Sequence, residues 1–189
     1  MALIAVVLIV ILGVGGYFGY EEYRSMSYND NLKKSDDSWR SAKSAILQTD
    51  IETKSYDTNI EHIKAAMNST DQAINHTQEM IDIAPDNATR EFGNIRIQQY
   101  RESKKIMELY LRLVEDLQSS GIWSAYATVD TMEKEMDSIN ANLDSLQLQL
   151  IELIESNPDL KSRLNNVLGE GRVNDMSSQP GNATFEKII

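Results

Sequence analysis

Between Ile122 and Leu153 the apolar side chains fall at strictly alternating intervals of three and four: Ile122, Ala125, Val129, Met132, Met136, Ile139, Leu143, Leu146, Leu150 and Leu153. Only an α-helix gathers residues at that spacing onto one side. The rhythm holds for more than four heptads, so the helix presents a long, narrow seam that partner helices of similar length must cover.

Three further segments carry the same period. One seam runs through Ile60, Ile63, Met67, Thr70, Ile74, Thr77 and Ile81. A broader stripe between Thr89 and Gln118 holds Phe92, Ile97, Tyr100, Ile106, Met107, Tyr110, Leu111, Leu113, Val114 and Leu117. The weakest segment, Ser27 to Ile51, offers Leu32, Trp39, Ala42, Ile46 and Leu47.

The breaks between them have chemical causes. Ala84-Pro85-Asp86-Asn87 ends one helix and offers Asp86 or Asn87 as the next cap. Gly121 supplies a helix stop, and Asn157-Pro158 ends the long helix and starts a short one with Leu160, Leu164 and Val167, closing at Gly169. The turn near Thr53 to Ser55 has no strong marker. Beyond Gly169 the chain is small, polar and aperiodic, and is expected to be a flexible tail. Four helices of about 26 to 36 residues with short connections predict an all-α fold, an antiparallel up-down-up-down bundle about 45 Å long plus a short fifth helix.

Charge supports that order. The fourth helix carries Asp130, Glu133, Glu135, Asp137, Asp144, Glu152 and Glu155 against Lys134 alone. The second is acidic too, whereas the third has Arg90, Arg96, Arg101, Lys104, Lys105 and Arg112. In a square bundle the third helix would neighbour both acidic ones.

Ahead of the bundle stands a different kind of segment. From Ala2 to Tyr20 no side chain is charged, and nineteen residues of helix reach roughly 28 Å, the thickness of a bilayer's hydrocarbon core. Tyr17, Phe18, Tyr20 and Tyr23 close the run where a chain would re-enter the headgroups. The expected organisation is a single transmembrane anchor over residues 1–24, a helical bundle over 25–168 and a flexible tail over 169–189. A cleaved secretory signal is the alternative for the first segment. Gly13, Gly15 and Gly16 would let a second transmembrane helix approach the anchor.

Which side of the membrane the bundle occupies is argued from two signals. Arg24, Lys33 and Lys34 follow the run, which by itself favours the cytoplasm. Asn-X-Ser/Thr sequences begin at Asn68, Asn75, Asn87 and Asn182. Asn68 and Asn75 are seven residues apart on one helical stripe, and Asn87 falls at a predicted turn, so all three should be exposed. The sequons and their placement favour an extracytoplasmic glycoprotein domain. With no cysteine the domain has neither disulfides nor a lipoprotein tether, and must hold by its core. A net charge of −11 argues against nucleic acid and against docking on anionic lipid. An acidic, cysteine-free, sequon-bearing surface protein suits an archaeal cell envelope.

Sites for chemistry are scarce. Bundle metal centres use Glu-x-x-His, but Asn59 and Ala73 stand three residues before His62 and His76. Those two histidines lie about 21 Å apart on one helix. Every acid fits an outward position, and neither a catalytic constellation nor a metal or cofactor site is expected. Trp123, Tyr126, Glu133 and Asp137 make the candidate partner surface.

The function expected is non-enzymatic: a membrane-anchored structural or accessory subunit that binds protein partners in a membrane or envelope assembly, with self-association open. Tethered four-helix bundles also resemble, in architecture alone, the ligand-binding domains of chemoreceptors and sensor kinases, so a ligand-sensing ectodomain is the alternative. A pilin-like filament subunit, with the apolar helix in a filament core, is the second.

Overall fold

The computed structural model describes the backbone of residues 2–120 and 122–177, and the side chains of residues 22–120, 129 and 131–177. These residues form six helices and no strand: α1 (Ala2–Ile46), α2 (Tyr56–Asp82), α3 (Asn87–Ser120), α4 (Ile122–Ser156), α5 (Pro158–Leu168) and α6 (Glu170–Met176). Among the described residues no helix is long and apolar enough to cross a membrane. The uncharged run and its Gly13, Gly15 and Gly16 lie outside the described side chains.

Cross-helix contacts fix an antiparallel order. Arg24 of α1 reaches the Ile83 and Ala84 carbonyls at the end of α2, while Ser35 reaches Thr77. Between α2 and α3, Asp71 pairs with Lys104 and Asp57 with Gln118. Phe92 and Ile95 share a cluster with Leu150 and Ile154, whereas Leu109 and Val114 share one with Met132 and Ile139, so α4 runs back along α3. The basic third helix does lie between the two acidic ones. Lys104 bonds both oxygens of Asp71 at 2.7 Å.

The square outline is corrected. α1 packs closely on α2 and, at one end, on α5, which also contacts α4. The chain that fills this side is α5 with α6, and α6 occupies residues expected to be flexible tail. Periodicity was a poor guide there because seven residues make barely two turns. Even so, Val173 and Met176 are buried in the core. Gly169, at φ +88°, makes the reversal between the two short helices, in the left-handed region that favours glycine.

The seams are also refined. On α2 the fully buried line is Asn59, Ile63, Ala66, Thr70, Ala73, Thr77 and Met80. Ile60, Met67 and Ile74, which looked like the seam, flank it half-buried. Small side chains take the innermost places because α1 and α3 both press on this helix. Gly93 of α3 shows how tight that contact is: a Cβ there would meet Ile81 Cγ1 at 2.5 Å. On α4, Met132, Ile139, Leu146, Leu150 and Leu153 are buried as expected, but Val129 is 45% exposed. Leu47 is 53% exposed, because α1 ends at Ile46 and Leu47 opens the turn.

Local signals explain most ends. Asp86 Oδ1 accepts from Thr89 N–H at 2.7 Å, the expected cap. The unmarked α1–α2 turn is organised by Asp50, whose carboxylate accepts from the Glu52 and Thr53 backbone, and by Asn59, which bonds Asp50 in both directions. Ser55 then caps α2. Asn157 departs from expectation: its side chain turns back to the Leu153 carbonyl at 2.8 Å and ends α4 rather than capping α5.

Candidate functional site

The bundle's core is not continuous. One apolar lobe joins Tyr28, Leu32, Met80, Phe92, Leu150, Ile154, Leu160 and Val173. The other joins Ala42, Ile46, Ile63, Met107, Val114, Met132 and Ile139. Between them lies a buried polar waist made of Ser35 and Asp36 from α1, Thr77 from α2, and Arg96, Gln99, Tyr100 and Ser103 from α3.

Arg96 is the hub of this waist. It is only 8% exposed, and its Cζ stands 4.7 Å from the Tyr100 ring centroid. Trp39 packs on the same ring at 4.9 Å. Two hydrogen-bonded chains leave the guanidinium. In the first, Nη2 donates to Tyr100 Oη at 2.9 Å, and Tyr100 meets Ser35 Oγ, which meets Thr77 Oγ1 at 2.6 Å. Thr77 donates to the Ala73 carbonyl at 2.7 Å. A hydroxyl has one proton. With Thr77's spent on Ala73, Ser35 must donate to Thr77, and Tyr100 must donate to Ser35. In the second chain, Arg96 Nη1 donates to Gln99 Oε1, Gln99 Nε2 to Gln147 Oε1, and Gln147 Nε2 to the Met176 carbonyl. Every donor therefore points away from Arg96, and both chains end on backbone oxygen. Five of the six helices are stitched through one side chain.

Beside the hub, Arg172 of α6 holds Asp36 with two bonds, Nη2 to Oδ1 at 2.6 Å and Nε to Oδ2 at 3.1 Å. Asp36 corrects the expectation that every acid faces outward, and Arg96, one of α3's cations, is buried as well. Lys43, one helical turn and more beyond Trp39, has its ammonium pKa pushed down, first by burial and then by Arg172 and Arg96. A cavity of about 10 Å³ opens among Ser35, Asp36, Thr77, Arg96, Tyr100 and their apolar neighbours. The hydroxyl protons around it are all spent on the next oxygen in a chain that ends at a backbone carbonyl, so the arrangement suits cohesion.

The sequence-predicted sites lie elsewhere. Asn68, Asn75 and Asn87 are exposed, with Asn87 accepting from Arg90. Asn182 lies outside the described residues, as do the side chains of Trp123 and Tyr126. Glu133 and Asp137 are exposed on α4. His62 and His76 are half-buried, and His76 faces Glu79 at 3.5 Å. Among the described residues no group of three His, Asp or Glu side chains converges at metal-binding range.

What the sequence reading missed is the waist, although a signal existed. Ser35 stands between Leu32 and Trp39 in the α1 stripe, and Arg96 stands between Phe92 and Tyr100 in the α3 stripe, each at seam spacing. Polar residues in phase with a seam mark a polar core layer. Comparison with protein-family models, curated proteins and solved structures finds no match to this chain.

Proposed function

We propose that this protein is a non-enzymatic, membrane-anchored helical rod that serves as a structural or accessory subunit of a membrane or cell-envelope assembly, with its bundle outside the cytoplasm. The observation that supports it best is the grip of Arg24. Four residues after the uncharged run ends at Tyr20, the Arg24 guanidinium donates to the Ile83 carbonyl at 2.9 Å and the Ala84 carbonyl at 2.7 Å. These are carbonyls that the end of α2 leaves without helical partners. No flexible linker separates the run from the bundle, so an anchor there would hold the rod at a fixed height and angle. The polar waist stiffens the rod by joining five helices. Partner contacts would fall to the exposed Glu133 and Asp137 of α4, to Trp123 and Tyr126 in the same helix, and to Gly13, Gly15 and Gly16 of the anchor.

Extraction in mild detergent and crosslinking in intact membranes, read by mass spectrometry, test this. Recovery within a larger assembly is expected, weakened by Gly15→Leu with Gly16→Leu. A monodisperse monomer in several detergents, with no partner crosslinked, overturns it. A membrane-impermeant protease should degrade the bundle in intact cells; protection there reverses the topology.

A further inference from the structure

We propose that the open half of the α4 seam is a docking groove for the chain's own C-terminal segment, anchored by Phe185, Ile188 and Ile189. The seam has two rows. Met132, Ile139, Leu146 and Leu153 are buried along the whole helix. Val129, Met136, Leu143 and Leu150 stand seven residues apart in the row beside them. Leu150 is fully buried, in the lobe that also holds Leu160 of α5 and Val173 of α6. Leu143 and Met136 are only half-buried, and Val129 is 45% exposed. Cover is lost where α6 stops: Gln147, next to this row, bonds the carbonyl of Met176, the last residue of α6. Beyond that point α1 packs on α2 rather than closing over α4.

The chain is placed to supply the missing cover. It leaves α6 beside Gln147, about one helical turn from Leu143. Residues 178–189 lie outside the described residues. Extended chain from Ser177 to Phe185 spans up to about 27 Å, and the rise of α4 from Gln147 to Val129 is also about 27 Å. Every open position of the row is therefore within reach. The large apolar residues of this segment, Phe185, Ile188 and Ile189, have the spacing of one helical face. Charge favours this occupant over a second copy. Glu133, Asp137 and Asp144 are exposed on α4, whose one cation is Lys134, so two copies joined here would set like charges together. In the segment, Glu186 and Lys187 balance.

Cysteine crosslinking of the full chain in mild detergent provides the test, free of background because the protein has no cysteine. Asn140 and Ser138 are both exposed at nearly one height on α4. Asn140 shares the stripe of Gln147 at the groove's edge, and Ser138 lies about 200° around the helix from Asn140. In dilute protein under a mild oxidant, Asn140→Cys with Lys187→Cys should close an intramolecular disulfide about tenfold faster than Ser138→Cys with Lys187→Cys, because docking concentrates the segment on one face. Both α4 sites are exposed, so neither substitution disturbs the core. Adding Phe185→Asp and Ile188→Asp should erase the difference. Equal rates for the two pairs overturn the proposal. A predominance of disulfide-linked dimers through Asn140→Cys overturns it too, and assigns the groove to a second copy. Neither outcome depends on the uncharged run being an anchor.

Discussion

Asp36 in the first helix and Arg172 in the last are joined by a two-pronged ion pair, although 136 positions separate them. The Asp36 side chain is 6% exposed and that of Arg172 24%. Such a pair adds little net stability, because the cost of removing both charges from water nearly matches their attraction. What it does decide is position. α6 is held over the waist, where Gln147 fastens its end by the Met176 carbonyl and Val173 fills the lobe beneath.

Breaking that pair from one side should therefore cost more than removing it whole. Arg172→Ala leaves Asp36 buried without its cation, and a loss of about 2–3 kcal/mol is expected, below the full range for deeply buried pairs because Arg172 is partly wet. Asp36→Leu with Arg172→Met should fall within about 1 kcal/mol of the parent. Urea unfolding followed by circular dichroism measures both. An unchanged midpoint for Arg172→Ala would show that α6 is not docked in solution.

The corrected seam on α4 makes a sharper contrast. Leu150 is fully buried between α3 and α5, whereas Val129 is 45% exposed at a position of the same heptad series. Leu150→Asp places an unpaired carboxylate in the apolar lobe that holds Phe92 and Leu160 and should cost several kcal/mol, enough to unfold a marginal domain. Val129→Asp should stay within about 0.5 kcal/mol. Comparable melts for the two variants would refute the assigned register.

Acid should unfold the bundle by a route that two turns predict. Burial raises the Asp86 carboxyl, but bonds from the Thr89 hydroxyl and backbone and from Arg163 outweigh it, so its pKa lies below the ordinary 3.8. Asp50 is lowered as well, chiefly by the Thr53 hydroxyl. A depressed carboxylate pKa stabilises the fold above the unfolded value, and that contribution is lost as pH falls through the folded value. Melting temperature should thus be insensitive to these groups above pH 3.8 and fall below it. Asp86→Asn keeps a capping oxygen but no charge, and should make the acid limb shallower. An acid limb identical to the parent's would remove Asp86 from this account.

Helix type and order were legible because α2, α3 and α4 repeat their period for 27 to 35 residues. The waist was not, because hydropathy ranks Arg96 and Asp36 as surface residues and burial follows partners that are distant in sequence. Ile74 outranked Ala73 for the same reason: a sequence scale rewards size, whereas a tight helix crossing rewards smallness. α6 escaped notice since its helix is fixed by Asp36 and Gln147 rather than by its own seven residues.

The sequons acquire a second meaning from the same core. Thr70, Thr77 and Thr89, which complete the sequences begun by Asn68, Asn75 and Asn87, are all buried. Thr70 and Thr77 bond the carbonyls one turn back, and Thr77 also receives the Ser35 proton. Each is a core residue whose neighbour two places earlier happens to face water. Asn75→Gln and Thr77→Ala both erase one sequon, yet their effects on stability should differ. In a host without N-glycosylation, Asn75→Gln should lie within about 0.5 kcal/mol of the parent, as surface changes do. Thr77→Ala strands the buried Ser35 hydroxyl and should cost about 1–3 kcal/mol. Thermal melts decide this, and equal values would mean that the Arg96-to-Ala73 chain is not formed. In a glycosylating host both variants should lose the same mobility shift if Asn75 carries a glycan. Because the Thr77 hydroxyl is enclosed once α2 packs, that glycan must be attached before folding, and folded, unmodified protein offered to glycosylating membranes should remain unmodified at Asn75.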